Sequence, residues 1–210
     1  MSLMPPDTAL APPAARPAPA VRSSFAVDVP EAVLARARSG EHAAFEQIYR
    51  CFERPVYTLA LRLCGQPDDA ADVLQDTMLK VFAGLRGFRG GSPFWGWLRQ
   101  VAVNEALMRL RRRRQLDAEL PIDGAFGAQD FEDLAPPPSA AADAAALTRA
   151  LLKLPPATRT VLWLHHAEGF THEEIADLMQ RSTSFSKSQL ARGGRRLRAL
   201  LETPEEARRG

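Results

Sequence analysis

Hydrophobic positions recur every three or four residues over two stretches of the chain, residues 29–114 and 147–202. That spacing is typical of amphipathic helices, because it puts apolar side chains along one face. Strict alternation of apolar and polar residues, the pattern of a half-buried strand, is absent over any useful length. The pattern therefore predicts an all-α fold, with two small helical domains joined by a flexible linker.

The strongest helix prediction begins near Pro67, after a helix that Pro55 should end or kink and that Gly65 should close. Its apolar stripe consists of Ala70, Val73, Leu74, Thr77, Met78, Val81, Phe82 and Leu85. The opposite face carries Asp69, Asp72, Gln75, Asp76 and Lys80. Periodicity alone favours a solvated polar face there.

A second helix is predicted over PFWGWLRQVAVNEALMRLRRRR, residues 93–114, which opens with aromatic residues and closes with arginines. Phe94 and Trp97 share a stripe with Leu98, Val101 and Met108, so we expect both rings to pack in the core. Trp95 lies off the stripe. A partly buried surface ring is favoured there over a ring that stacks on nucleic-acid bases.

The second stretch contains a helix-turn-helix pattern. Thr171 and Glu174 form a capping box at the start of one helix, a polar turn follows at residues 180–182, and a basic helix follows the turn. In such a unit the start of the second helix enters the major groove of DNA. Side chains suited to base edges are Ser184, Lys187, Ser188 and Gln189, and those suited to phosphates are Arg192, Arg195 and Arg196. A solvated basic face is the alternative.

Charge is unevenly distributed although the net charge is only +2. Five arginines occur within residues 109–114, whereas residues 115–147 hold seven acids and no Lys or Arg. Basic residues return after position 180. Two basic blocks around an acidic spacer indicate a polyanionic partner that is contacted twice.

Other chemistry is poorly supported by the sequence. Cys51 and Cys64 allow no disulfide framework and fit packing roles. The spacing of His165, His166 and His172 matches no metal-ligand set, so neither a metal nor a cofactor is expected. Because no catalytic motif occurs, the chain is not expected to be an enzyme. Without a signal peptide or a membrane span, a cytoplasmic location is expected.

Residues 68–107 and 154–201 together resemble a known family. The first block, DDAADVLQDTMLKVFAGLRGFRGGSPFWGWLRQVAVNEAL, resembles region 2 of bacterial RNA polymerase sigma factors of the extracytoplasmic-function (ECF) group, and the second resembles their region 4. The resemblance implies a transcription initiation factor that binds core RNA polymerase, recognises the −10 and −35 promoter elements and helps to melt DNA. An anti-sigma factor is a further partner that the resemblance makes possible.

The resemblance also implies roles for individual residues. The first domain should dock on the clamp coiled coil of the largest polymerase subunit and the second should contact the flap. The docking residues would be Asp72, Gln75, Asp76 and Lys80. The −10 element would be contacted by Phe88, Asn104, Arg109, Arg111 and Arg112. The resemblance assigns Lys187, Ser188 and Arg192 to the −35 element. Their place on the same basic helix adds Ser184, Ser186, Gln189 and Arg195 to the predicted −35 contacts.

The implied organisation is a disordered Ala/Pro-rich tail (1–28), the first domain (29–114), an acidic linker (115–146), the second domain (147–202) and a short tail (203–210). The linker either mimics nucleic acid inside the polymerase or is a solvated tether. Gln180 stands where the family usually has Gly, which a left-handed turn would favour. Gly193-Gly194 lies inside the predicted recognition helix, where each glycine lowers helix stability, and whether the pair interrupts the helix stays open. A free-standing DNA-binding regulator and a protein-binding adaptor remain alternative functions.

Overall fold

The computed structural model describes residues 24–119 and 138–202, without the side chains of residues 114–119 and 138–142. Every regular element in these ranges is helical. The helices are α1 (Glu31–Arg38), α2 (His42–Cys64), α3 (Pro67–Gly84), α4 (Phe94–Glu119), α5 (Pro138–Leu152), α6 (Pro156–His166), α7 (His172–Met179) and α8 (Thr183–Glu202), with a 3₁₀ turn at Leu85–Gly87. None of the described helices is long and apolar enough to cross a membrane.

The first bundle consists of α1 to α4, with α3 packed against both α2 and α4. The predicted stripe of α3 faces this core. Six of its residues are buried and two are half-buried. Asp69 differs from the prediction, because it is buried against α4 rather than exposed on the polar face.

Two features of the first bundle depart from expectations based on composition or on single residues. Helix α2 continues through Pro55 to Cys64 and ends at Gly65, whose φ of 80° is left-handed. Phe25 is completely buried in the core although it precedes residue 29. The packed part of the chain therefore begins before residue 29, inside the segment 1–28 that was predicted to be a disordered tail. Residues 1–23 of that segment lie outside the described residues.

The second bundle consists of α5 to α8. Helix α5 begins at Pro138, inside the predicted linker, and residues 120–137 and 203–210 lie outside the described residues. The capping box of Thr171 and Glu174 is present at the start of α7. Helix α7 ends at Gln180, which adopts the left-handed conformation with φ 53°. The helix-turn-helix geometry is thus formed without the usual glycine.

Gly193 and Gly194 do not interrupt α8, which is helical throughout. Gly193 is buried where α8 crosses α6, and a Cβ atom there would lie 2.5 Å from Cγ2 of Thr158. The missing side chain therefore lets the two helices approach closely. Gly194 faces open space.

The two bundles pack directly against each other. Val161, Leu164, Phe170 and Ile175 of the second bundle belong to the same hydrophobic cluster as the core of the first. Helix α2 contacts α5 and α6, and α4 contacts α7. Sequence reasoning predicted two domains joined by a linker, but it did not predict this interface.

Candidate polymerase and nucleic-acid interfaces

The outer face of α3 carries the four predicted docking residues, and all four are exposed. We call Asp72, Gln75, Asp76 and Lys80 the docking face. Leu79 lies beside them and is 59% exposed, which is unusual for so large an apolar side chain. Leu79 lies off the apolar stripe of α3, and that position could have predicted an exposed apolar side chain on the outer face of the helix from the sequence. Together with Leu79, the docking face thus combines acidic, amide, basic and apolar groups, a mixture suited to a protein partner.

Ion pairs tie the docking face to α4. Nη2 of Arg109 lies 2.8 Å from a carboxylate oxygen of Asp72, and Nζ of Lys80 lies 2.6 Å from Oε1 of the buried Glu105. The predicted polymerase and promoter residues are therefore not independent groups. A partner that binds Asp72 would compete with Arg109.

Asp69 is the centre of a second set of ion pairs at the start of α3. One carboxylate oxygen accepts a hydrogen bond from Nε of Arg109 at 2.7 Å, and the other accepts one from Nη1 of Arg113 at 2.8 Å. The hydrogen bond to Asp69 raises the pKa of Arg109 above its ordinary value. These arginines hold α3 and α4 together in the free chain, in addition to any contact with DNA.

The predicted −10 residues lie in the loop before α4 and along the helix itself. Phe88, in the loop before the helix, is half-buried against Phe94 and Trp97, with ring centroids 5.5 and 5.2 Å away. Asn104 is exposed on α4. The ring of Phe88 is therefore packed against two other aromatic side chains and is not free.

The aromatic residues that open α4 behave largely as predicted. Phe94 is buried, whereas Trp97 is only half-buried. The ring of Trp97 packs close to Gly84, where a Cβ atom would lie 3.2 Å from Cζ2 of the ring. Trp95 is half-buried, and the guanidinium of Arg99 lies 5.3 Å from its ring centroid. Trp95 is thus already in contact with a cation.

The arginines that follow Asn104 have different environments. Arg111 and Arg112 are exposed, as a phosphate contact requires. Arg111 nevertheless donates a hydrogen bond of 2.7 Å from Nη2 to the carbonyl oxygen of Leu178 in the second bundle. One predicted promoter residue is therefore engaged in contact between the bundles.

Helix α8 presents an exposed basic face, which we call the recognition face: Ser184, Lys187, Ser188, Arg192 and Arg195. Ser188 is half-buried and the other four are exposed. Nη2 of Arg192 donates to Oγ of Ser188 at 3.2 Å. Offsets of three and four place these residues on one side of the helix, where they can contact a groove together. Arg196 is exposed as well.

Two of the predicted −35 residues face other parts of the protein. Ser186 is completely buried, and its Oγ lies 3.0 Å from Nδ1 of His172, so the prediction that Ser186 contacts DNA is wrong for this arrangement. Gln189 is half-buried, and its Oε1 accepts a hydrogen bond from Oγ1 of Thr158 at 2.6 Å. Both residues fix α8 to the helices behind it.

Three histidines of the second bundle, His165, His166 and His172, form a group of packed rings behind the recognition face. The rings of His165 and His172 are nearly parallel with centroids 4.7 Å apart, and His166 packs edge-on against His165. Burial lowers the pKa of His166 and of His172, and the neighbouring His165 lowers both further. Among the described residues, no group of three or more potential ligands converges on a metal site.

Cys64 is buried at the end of α2, and burial raises the pKa of its thiol to about 12. The thiol is therefore protonated at neutral pH and behaves as a packing group. Cys51 is exposed.

Comparisons with known proteins agree with this geometry. Residues 48–115 match the family model for sigma-70 region 2, and residues 144–197 match the model for sigma-70 region 4. The ECF RNA polymerase sigma factor SigM of Mycobacterium tuberculosis is 31% identical over 172 residues, covering 80% of this chain and 83% of the relative. RNA polymerase sigma factor NccH of Alcaligenes xylosoxydans xylosoxydans is 32% identical over 187 residues, covering 84% of this chain and 97% of the relative.

A solved structure is also similar. It contains the sigma factor RpoE of Bartonella quintana in complex with the anti-sigma factor NepR, with a TM-score of 0.56 and 27% identity. The similarity covers 77% of this chain and 98% of that one. The matches include both helical bundles in the same order. The chain belongs to the ECF group of RNA polymerase sigma factors.

Proposed function

We propose that this sigma factor divides its work among three surfaces: the docking face on α3 for core RNA polymerase, α4 with its preceding loop for the −10 element, and the recognition face on α8 for the −35 element. The observation that supports this most directly is that the two bundles carry different exposed surfaces: the docking face, with its two carboxylates, on the first bundle and the basic recognition face on the second. The protein would form and break no covalent bonds, and it would act in the cytoplasm, where polymerase and DNA are found.

The docking face has the composition of a specific protein contact. Asp76 is exposed, and Asp72 is held by a solvent-accessible ion pair that exchanges at little cost. Leu79 supplies apolar area next to the charges. We propose that the clamp coiled coil of the largest polymerase subunit covers these residues, and that the flap contacts the second bundle.

Promoter contacts would use the remaining predicted residues. Arg192 and Arg195 would hold phosphates, while Ser184 and Lys187 would reach base edges. Phe88 and Asn104 would contact an extruded base of the −10 element, whose unstacking costs a few kcal/mol that a fitted pocket can offset. Arg109, Arg111 and Arg112 would contact nearby phosphates.

An anti-sigma factor is a further proposed partner. The similar RpoE structure contains one, the protein NepR. A partner of this kind would cover the docking face and so compete with polymerase.

Promoter binding with and without core polymerase separates this function from that of a free-standing DNA-binding regulator. We expect a gel-shift assay to show weak, nonspecific DNA binding by the chain alone, and a specific complex once purified core is added. A specific shift of equal strength without core would favour the free-standing regulator, which the exposed basic face of α8 would also suit. Binding to a protein partner that is independent of salt, with no DNA affinity, would favour an adaptor.

A further inference from the structure

One histidine holds the start of α8 from behind. Ser186, which directly precedes Lys187 of the recognition face, is completely buried, and its Oγ lies 3.0 Å from Nδ1 of His172. The start of the second helix of a helix-turn-helix is the part that enters the major groove. We propose that His172 is a positioning residue for −35 recognition, and that a proton on His172 releases the start of α8 and lowers promoter selectivity. This role rests on the proposed function, in which α8 contacts the −35 element.

Two sets of contacts fix the ring of His172. It is the first residue of α7, and the capping box of Thr171 and Glu174 holds the backbone around it. Its ring stacks on His165 at an interplanar angle of 12°, with centroids 4.7 Å apart. Nδ1 of His165 lies 3.0 Å from the carbonyl oxygen of Phe170, which can only accept, so this nitrogen carries the hydrogen. The imidazole that contacts α8 is therefore itself held in place.

The contact with His172 fixes the end of α8 that matters most for base recognition. Ser186, Gln189 and Gly193 lie along the inner side of α8 at offsets of three and four. Gln189 and Gly193 contact α6, so of these three residues Ser186 secures the start of the helix. Base edges are read by directional hydrogen bonds, whereas phosphate contacts carry no sequence information. Loss of the Ser186 contact should therefore reduce discrimination between promoter sequences more than total affinity for DNA.

The surroundings of His172 disfavour a positive charge on its ring. Burial lowers the pKa of His172, and His165 of α6 and Lys187 of α8 lower it further, whereas Glu173 on its own helix opposes the shift. The ring also lies at the N-terminal end of α7, where the helix dipole is positive. The arrangement that holds Ser186 in place is therefore the one with neutral His172.

A released start of α8 binds a proton on His172 more tightly than the held one does. Released, the imidazole returns toward its ordinary pKa of 6.5, above its pKa in the held arrangement. Selectivity should therefore be fully present well above about pH 6.5 and decline as the pH falls through that value. Nonspecific affinity should not decline, because phosphates favour added positive charge. The ratio of specific to nonspecific affinity separates the two effects.

Binding of the chain with core polymerase to promoter DNA is the first measurement. The affinity for a fragment with an intact −35 element is divided by that for a fragment in which this element is scrambled. We expect the ratio to fall roughly twofold or more between about pH 7.5 and about pH 5.5. His172→Asn places an amide near the position of Nδ1 but does not titrate, so it should keep the ratio at both pH values. His42→Asn, at an exposed position of α2, is the matched control and should behave as the unmodified chain does.

A double-mutant cycle tests the contact itself. His172→Phe keeps a ring against His165 but cannot form a hydrogen bond with Ser186, and Ser186→Ala removes the other partner. Each should lower the ratio roughly threefold or more at about pH 7.5. The double variant should lower it no further than either single variant, because both remove the same contact. Additive losses would show that the two residues act independently and would overturn the proposal.

Hydrogen exchange in the free full-length chain supplies a measurement without polymerase. Protection factors, which are corrected for the intrinsic effect of pH, should fall at the start of α8 as the pH drops, and should be low at both pH values in His172→Phe. A ratio or a protection that does not change with pH, or that changes equally in His172→Asn, would overturn the proposal. If core with the chain never prefers an intact −35 element, the proposed function is contradicted, and the protection factors still decide whether His172 holds α8.

Discussion

At the scale of single residues, the two adjacent glycines of α8 have opposite roles. A Cβ at Gly193 would meet Cγ2 of Thr158 at 2.5 Å and Cδ1 of Leu162 at 2.9 Å, whereas Gly194 has open space. We expect Gly193→Ala to destabilise the protein by about 1–3 kcal/mol through overpacking. Gly194→Ala should stabilise it by up to about 1 kcal/mol, because alanine favours the helix. Urea unfolding measures the stability of both variants. Stability changes of the same sign would contradict the close contact of α8 with α6 at Gly193.

Protonation of His172 provides a second prediction at this scale. Its pKa is lowered in the folded chain by burial, His165 and Lys187, against an opposing contribution from Glu173, while Ser186 faces it from α8. The unfolded state therefore binds more protons near pH 6.5, so stability should fall as the pH drops from 7.5 to 5.5.

The measurement for His172 is the free energy of unfolding at several pH values in that window. His172→Gln should reduce the slope. The same substitution at His42, an exposed histidine of α2, is the control and should leave it unchanged. Equal slopes in the protein and the His172 variant would show that the stacked pair does not couple folding to pH.

Gln180 and Ser186 show what residue-level reasoning can and cannot predict. The family resemblance marks position 180 as one that usually holds glycine, and the structure shows that Gln180 adopts the left-handed conformation there, with φ 53°. Ser186 was assigned to DNA because it lies near the start of a basic helix. Its burial depends on His172, fourteen residues earlier, and helical spacing within α8 does not reveal that partner.

At the scale of helices, Asp69 links the start of α3 to the end of α4. Asp69→Asn should destabilise the protein by about 1–3 kcal/mol, because it removes the charge that two arginines share. Asp68→Asn is the matched control, since Asp68 is exposed at the same helix end. Chemical unfolding measures both, and a similar loss for the two would mean that the effect arises from the helix dipole rather than from the ion pairs.

Helices with strong periodicity were predictable, and so were the helix ends that carry a clear capping or glycine signal. The stripe of α3 and the capping box of α7 follow local rules that the sequence states directly. The start of α5 at Pro138 lies in an Ala-rich segment whose composition also suits a linker. Helix α2 continues through Pro55, so the proline was a poor guide to its end.

At the scale of the whole molecule, the interface between the bundles was beyond sequence reasoning. Arg99, Arg159 and Phe170 carried no motif, and their pairing joins residues about seventy to a hundred positions apart. The two basic blocks predicted a polyanionic partner, but they did not predict that Arg111 of the first block would contact Leu178 of the second bundle. Family resemblance supplied the functional roles of surfaces that periodicity alone described as solvated.

The division of labour between the bundles is testable with two variants. Asp76→Arg should weaken binding to core polymerase at least tenfold, because it reverses an exposed charge on the docking face. Lys187→Ala/Arg192→Ala should leave core binding intact and reduce initiation that depends on the −35 element by about tenfold. Core affinity and transcript yield are measured for each. Equal loss of both activities in either variant would argue against separate surfaces.

The central claim, that this chain confers promoter specificity on core RNA polymerase, is tested most directly by runoff transcription with purified core and a library of promoter fragments. We predict discrete transcripts that require the chain and arise from templates sharing a −10 and a −35 element. Core that binds the chain yet produces no transcript above the level of core alone, on any template, would contradict the account.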